Sequence, residues 1–183
     1  MIDEKNLCPD RRGLIIVFTG DGKGKTTAAV GTAVRALGHG LKVYLAFFLK
    51  GDDFAHGEIE ALSSLSGATV ITSSQKGWVN QSNVTPELKE QVTKTFSAAS
   101  SAVLSGEYDL VVLDEINVAI ELGLVSEEEL LSLMKKKPCR TNVILTGRHA
   151  CPGVVEIADL VTELVSIKHP FYNGIGAQKG IEY

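Results

Sequence analysis

The sequence predicts a three-layer α/β fold, with helices on both faces of a mostly parallel sheet of about five or six strands. Its 183 residues fit one domain of ordinary size. Hydrophobic residues make up 44% and charged residues 22%, a globular composition. Apolar runs of strand length alternate with segments of helical periodicity, which is typical of a parallel sheet with crossover helices. We therefore expect one domain over 1–183, with 1–12 as a polar lead-in.

The first half of the chain supplies three of the predicted strands. "LIIVF" is a continuous apolar run, typical of a strand that is buried on both faces. The helix after it is expected to end at Gly38, and a later helix to begin at Thr85 with Pro86 in its first turn. The predicted elements of this half are strand 14–18, helix 26–37, strand 42–49, helix 58–66, strand 68–72, an irregular segment 73–84 and a helix from 85 to 104.

The second half continues the alternation and ends without regular structure. Ser126 and Glu129 form a capping-box pattern, so a helix is expected from there to just before Pro138. Strands are predicted at 109–115, 142–147 and 160–168. The glycine-rich tail 169–183 has no periodicity and is expected to be irregular.

The segment "TGDGKGKTT" follows the first strand, opens the first helix and predicts a phosphate-binding loop. The usual pattern G-x-x-x-x-G-K-[ST] has glycine where this chain has Thr19. Closely spaced glycines let successive N–H groups face one concavity, and the helix N-terminus adds partial positive charge. Lys25 can reach phosphate oxygens, and Lys23 adds a second cation. The fold is therefore expected to be P-loop NTPase-like (RecA-like), with nucleotide contacts from Gly20, Asp21, Gly22, Lys23, Gly24, Lys25, Thr26 and Thr27.

A second polar feature follows the apolar run "LVVL", where a strand is expected to end in Asp114 and Glu115. Carboxylates at this position can hold Mg²⁺, or Mn²⁺, beside a phosphate loop, together with the Thr26 hydroxyl. The alternative is that these carboxylates cap the next helix. The loop and the acidic pair predict a nucleotide-binding domain, but a kinase, an ATPase and a nucleotidyl transferase all fit them.

Composition argues against several other classes of protein. The net charge is −4 and no basic run is longer than 135–137, which disfavours a nucleic-acid groove. No apolar run is long enough for a signal segment or a membrane span. The three cysteines are widely spaced, without a C-x-x-C, so a disulfide framework or zinc site is not expected and a cytoplasmic location is the default.

The chain resembles the P-loop corrinoid adenosyltransferases, also called cob(I)alamin adenosyltransferases. The resemblance rests on "RGLIIVFTGDGKGKTTAAVGTAVRALGHG", "VVLDEINVAIELGLVS", "VILTGRHACP" and the ending "IKHPFYNGIGAQKGIEY", in that order. It implies transfer of the 5′-deoxyadenosyl group of ATP to the Co(I) of a reduced corrinoid, with release of triphosphate. Lys23 and Lys25 would then be catalytic, because they neutralise the departing polyanion. An ordinary P-loop ATPase or phosphotransferase, and an ATP-gated corrinoid carrier, are the alternatives.

The resemblance also implies further site residues and partners. Arg35 is expected to reach the nucleotide, and Trp78 to face the corrinoid. Better-known members of the family carry an aromatic residue two positions earlier, where this chain has Lys76. His149 follows a predicted strand end, where ligands of open α/β sheets bind, and is a second candidate for the corrinoid site. A homodimer, a cytoplasmic location and a reduced flavoprotein as electron donor are implied by the family alone.

Overall fold

The computed structural model describes residues 12–51, 56–75, 79 and 82–182. Six strands form one parallel sheet in the order β3-β2-β4-β5-β1-β6, which confirms the predicted α/β class. The strands are β1 (Ile15–Thr19), β2 (Val43–Gly51), β3 (Ala68–Gln75), β4 (Leu110–Asp114), β5 (Asn142–Thr146) and β6 (Leu160–Glu163). The helices are α1 (Lys25–Gly38), α2 (Gly57–Ser63), α3 (Pro86–Ser105), α4 (Ile116–Glu121), α5 (Glu127–Lys136) and α6 (Pro152–Ile157).

Two apolar cores lie on opposite faces of the sheet, because successive side chains of a strand point to opposite faces. The core under α1 and α2 contains Phe47 from β2 and Val112 from β4. The core under α3, α4, α5 and α6 contains Phe48 and Leu113, the next residues of the same strands. The central strands are thus buried on both faces, which explains their continuous apolar sequences.

The carboxyl ends of the parallel strands meet at one edge of the sheet, and the polar residues follow there. In register, Phe47 of β2 pairs with Asp114 of β4, and Phe18 of β1 pairs with Thr146 of β5. The phosphate loop and the acidic pair therefore lie side by side, where open α/β sheets bind their ligands.

Several predicted boundaries were wrong. β6 ends at Glu163 rather than at residue 168, because its neighbour β1 ends at Thr19 and the chain then passes over the phosphate loop. β3 continues to Gln75 because β2, which reaches Gly51, still offers it a pairing partner. Helices α4 and α6 were not predicted, since six residues are too few to show a helical period.

The end of the chain is less irregular than predicted, with a short 3₁₀ helix at Pro170–Asn173. A disulfide framework was not expected, but Cys139 is disulfide-bonded, whereas Cys151 is free. In the part of the chain that the structure describes, no helix is both long and apolar enough to cross a membrane. The predicted lead-in, apart from Arg12, and the predicted site residue Trp78 lie outside the described residues.

Candidate nucleotide and metal site

The phosphate loop lies between β1 and α1 and packs against the segment that follows β6. Gly24 caps α1 in the left-handed region, at φ 117°, where a side chain would be strained. Gly22 donates its N–H to the carbonyl of Leu164 over 2.7 Å. A Cβ on Gly22 would lie 2.7 Å from that same carbonyl oxygen, so only glycine allows this approach. The spacing of glycines in the sequence is therefore required by the packing of the loop.

Lys25, which was predicted to bind phosphate, lies inside the loop. Its side chain is buried, and Nζ donates to the carbonyl oxygens of Gly20 (2.7 Å) and Gly22 (2.8 Å). Burial lowers the pKa of Lys25, while nearby carboxylates, Glu115 foremost, oppose that shift. A phosphate that reached this ammonium would replace the carbonyls with charge-assisted hydrogen bonds.

The predicted metal-site residues Thr26 and Asp114 are in contact. Asp114 is fully buried, and its Oδ2 accepts a hydrogen bond from the Thr26 hydroxyl over 3.2 Å. Its Oδ1 accepts another from the Thr146 hydroxyl over 2.7 Å. Thr146 was not predicted as a site residue, although its place at the end of β5 was a usable signal. The two hydroxyls fix the orientation of the carboxylate between the loop and β5.

Glu115 follows directly, with its backbone in the left-handed region at φ 62° and its N–H donating to the Thr146 hydroxyl over 2.9 Å. Burial raises the pKa of Glu115, and the adjacent Asp114 adds to that shift. Two neighbouring carboxylates and a hydroxyl fit Mg²⁺, which prefers oxygen ligands and retains several waters. Within the described residues no group of three or more His, Cys, Asp or Glu side chains is placed to hold a metal. A Mg²⁺ ion held by these side chains would take its remaining ligands from water and phosphate.

Lys50, at the end of β2, is a member of the site that the sequence analysis missed. Its Nζ lies 3.5 Å from Asp114 Oδ2 and 3.5 Å from Glu58 Oε1, with 16% of the side chain exposed. Burial alone would lower the pKa of Lys50, but the carboxylates of Asp114 and Glu58 outweigh it and raise the pKa. The sequence shows only a lysine at the end of a buried strand, and the face of the sheet that it occupies depends on a bulge in β2.

His149 lies beside the phosphate loop in the segment after β5. Its Nδ1 is 2.9 Å from Glu121 Oε1, and its Nε2 is 3.8 Å from Asp21 Oδ1. Arg148, which was not predicted, also faces Asp21, with its Nε at 3.8 Å. The hydroxyl of Thr19, the residue that replaces the usual glycine, accepts the N–H of Ala150 over 3.1 Å. Thr19 thus ties the segment that carries His149 to the end of β1.

The C-terminal tail contacts the second lysine of the loop. Lys23 Nζ donates to Glu182 Oε1 over 2.7 Å and to the carbonyl of Ile181 over 2.9 Å. The other carboxylate oxygen of Glu182 accepts the N–H of Gln178 over 2.7 Å. The hydrogen bond from Lys23 lowers the pKa of Glu182. An anionic group of the chain therefore lies against a cation that was predicted to bind phosphate.

Two further predicted nucleotide contacts, Thr27 and Arg35, are exposed on α1. Thr27 directly follows Thr26 in the first turn of that helix. Arg35 is in the last turn of that helix, roughly 15 Å along its axis from Lys25. The structure brings together Gly20, Asp21, Gly22, Lys23, Gly24, Lys25, Thr26, Asp114, Glu115 and His149, and leaves Arg35 apart from them.

Comparisons with known proteins identify what this chain is similar to. The sequence model of a family described as "ATP:corrinoid adenosyltransferase BtuR/CobO/CobP" matches residues 11–183. A corrinoid adenosyltransferase of Pseudomonas aeruginosa is 36% identical over 187 residues, covering 100% of this chain and 90% of that protein. One from Escherichia coli K12 is 38% identical over 176 residues, covering 95% of this chain and 87% of its own length. Corrinoid adenosyltransferase CobA of Salmonella typhimurium is 37% identical over 175 residues, with the same coverage, 95% and 87%.

Proposed function

Since the chain belongs to the ATP:corrinoid adenosyltransferase family, we propose that it transfers the 5′-deoxyadenosyl group of ATP to the Co(I) of a reduced corrinoid and releases intact triphosphate. The observation that carries the proposal is the pair of lysines, Lys23 and Lys25, in one glycine-rich loop next to the Asp114–Glu115 pair. The acceptor is cobalamin or its precursor cobyrinic acid a,c-diamide, in adenosylcobalamin synthesis or salvage.

The proposed step is a displacement at the ribose 5′-carbon. An electron pair of Co(I) forms the cobalt–carbon bond, and the bond from that carbon to the phosphate oxygen breaks. Its electron pair leaves with the triphosphate, and the cobalt is formally oxidised from Co(I) to Co(III). Because Co(I) is already a strong nucleophile, no general base is needed. The enzyme's task is to stabilise the charge that develops on the leaving group.

The loop residues suit that task. Lys25, Lys23 and the amides at the start of α1 would bind the triphosphate oxygens. Lys25 is held in place by loop carbonyls before the reaction begins, so its charge is preorganised for the leaving group. A Mg²⁺ or Mn²⁺ ion held by Thr26, Asp114 and Glu115 would neutralise further charge when bound. Arg35 is proposed to reach another part of the nucleotide from α1.

Glu182 is proposed to compete with triphosphate for Lys23, since its carboxylate contacts Nζ at 2.7 Å. Replacing Glu182 with Gln should tighten binding of inorganic triphosphate about two- to fivefold, the range of an exposed ion pair. Calorimetric titration in the presence of Mg²⁺ measures the change. Glu90→Gln, which removes the partner of Lys94 on α3, is the matched control and should leave binding unchanged. Unchanged or weaker binding by the Glu182 variant would contradict the competition.

Trp78 and His149 are proposed to line the corrinoid side of the site. His149 supports this through its position beside Asp21 of the loop. The resemblance to the family implies that an aromatic residue here helps displace the lower axial ligand, which would give a four-coordinate Co(II) that is easier to reduce. Trp78→Ala should therefore diminish the EPR signal of four-coordinate Co(II) in the presence of ATP, while Trp78→Phe retains more of it. An equal signal in Trp78→Ala and wild type would remove Trp78 from the mechanism.

The active form is proposed to be a cytoplasmic homodimer that receives electrons from a reduced flavoprotein. β6 is an edge strand, and its Leu160 and Val161 are 43% and 40% exposed. Val165 and Ile167, which follow it, are 69% and 94% exposed. Apolar surface of this kind supports association between copies of the chain. Light scattering during gel filtration should give twice the mass of the chain, and a monomer mass at micromolar concentration would exclude this part of the proposal.

One assay separates the proposed activity from its rivals. With ATP, Mg²⁺ and chemically reduced cobalamin, the enzyme should produce the light-sensitive spectrum of adenosylcobalamin. A P-loop ATPase or phosphotransferase would instead form ADP without any cobalt–carbon bond. An ATP-gated carrier would bind both ATP and cobalamin, but the spectrum would remain that of cobalamin without a cobalt–carbon bond. Either of these results would overturn the proposal.

A further inference from the structure

A β-bulge near the end of β2 decides which face of the sheet Lys50 occupies. The pairing with β3 runs from Phe47 opposite Thr72 to Lys50 opposite Ser74, so β2 has one extra residue between these pairs. Leu49 carries the irregularity, with φ at 59°, and its N–H donates to the buried Ser73 hydroxyl over 3.1 Å. Bulges of this kind redirect a side chain next to functional sites.

The direction of the change follows from the two cores. Regular alternation would place Leu49 on the Phe47 face, under α1, and Lys50 on the opposite face. In the structure Leu49 packs with the opposite core, and the Lys50 Nζ lies 5.9 Å from the centre of the Phe47 ring. The bulge therefore moves Lys50 to the face where Asp114 and Thr26 meet. A left-handed leucine is strained, so the surrounding structure must hold it in place.

Lys50 then shares an oxygen with the proposed metal site. The Asp114 oxygen that accepts the Thr26 hydroxyl at 3.2 Å is the one that lies 3.5 Å from Lys50 Nζ. A divalent cation held by Thr26 and Asp114 would approach the same oxygen, close to a fixed ammonium. The carboxylate of Glu58, with Oε1 at 3.5 Å from Nζ, is a second contact that keeps the ammonium in position.

We propose that Lys50 is a positioning residue that acts as an internal counter-cation of the metal site, so that the nucleotide-free enzyme binds a divalent cation weakly. This inference rests on the proposed function, because that function supplies the metal. The inference goes beyond the proposed function because it assigns Lys50, and the bulge that places it, a role in metal binding. Together with the hydroxyls of Thr26 and Thr146, the ammonium keeps the Asp114 carboxylate oriented without metal. Because it repels a second cation, metal binds tightly only in the nucleotide complex.

The sign of the effect distinguishes this role from a structural one. If Lys50 only supported the fold, its loss would weaken metal binding or leave it unchanged. If it competes with the metal, its loss must tighten metal binding. Removing one positive charge about 4 Å from a divalent cation should increase the affinity for that cation at least about tenfold, even if the dielectric constant at the site is as high as that of water.

The test is Mn²⁺ binding to the full-length, nucleotide-free protein, followed by the EPR signal of free Mn²⁺. Lys50→Met should bind Mn²⁺ at least about tenfold more tightly than wild type. Lys50→Arg, which keeps the positive charge, should bind Mn²⁺ with the wild-type affinity. Lys42→Met, at an exposed position just before β2, is the matched control and should bind Mn²⁺ like wild type. Circular dichroism checks that the variants fold. If Lys50→Met does not fold, Mn²⁺ binding is measured with Lys50→Gln instead. Unchanged or weaker Mn²⁺ binding in the folded variant overturns the inference, whereas the transfer assay tests the proposed function separately.

Discussion

Replacing Lys25 with alanine should reduce adenosyl transfer by about 10²- to 10³-fold, the effect of removing one preorganised contact of about 3–4 kcal/mol. Lys25 is the buried cation of the loop, and its Nζ lies within hydrogen-bond distance of two loop carbonyls. With substrates saturating, the loss should fall on kcat, because the charge that Lys25 neutralises develops in the transition state.

The fold should survive this change. The two carbonyls that lose Lys25, those of Gly20 and Gly22, belong to a loop rather than to the core of the sheet. Circular dichroism and thermal unfolding should therefore remain close to wild type. Lys89→Ala, an exposed lysine on α3, is the control and should retain full activity. A Lys25→Ala enzyme with wild-type turnover would show that this lysine does not stabilise the leaving group.

Replacing Asp114 with asparagine should have the second largest effect, a loss of at least about 10²-fold in transfer. The substitution keeps the shape of the side chain but removes the charge that a divalent cation requires. It also removes one of the two carboxylates within 4.0 Å of Lys50 among the described residues, and Glu58 is the one that remains. We expect a loss of stability of about 1–3 kcal/mol, less than for a buried ion that loses its only partner.

The dependence of rate on metal concentration checks this prediction. The Asp114→Asn enzyme should need a higher Mg²⁺ concentration for half-maximal rate, because its metal ligand is neutral. Asp109, the residue just before β4, provides the control. Its carboxylate accepts the N–H of Lys42, and Asp109→Asn removes the same charge away from the site. Asp109→Asn should retain the wild-type metal dependence. If Asp114→Asn shows the wild-type metal dependence too, Asp114 is not a metal ligand.

Much of this site could be predicted from the sequence because its main parts are local. The glycine spacing, Lys25 and Thr26 lie within one loop, and Asp114 and Glu115 end one apolar strand. Since parallel strands end at one edge, their meeting follows from the fold class. The sequence therefore indicated that Thr26 and Asp114, 88 residues apart, lie in one site, and the structure places them in contact.

The parts that were missed depend on non-local geometry. Lys50 reaches Asp114 only because one extra residue in β2 reverses the alternation of side chains, and nothing in "FFLKG" marks that bulge. Glu182 reaches Lys23 across 159 residues, through a tail whose path has no periodic signal. Helix α4 is six residues long and is capped by Glu115, whose left-handed backbone is not predictable from its residue type.

The phosphorus-containing product of a single turnover tests most directly the claim that the loop holds a departing triphosphate. Enzyme, ATP, Mg²⁺ and chemically reduced cobalamin are mixed, and the products are identified by phosphorus NMR alongside the adenosylcobalamin spectrum. We predict one equivalent of inorganic triphosphate for each cobalt–carbon bond formed. The appearance of ADP and phosphate in that proportion would show that the reacting end of ATP is the terminal phosphate, contrary to the role proposed for Lys23 and Lys25.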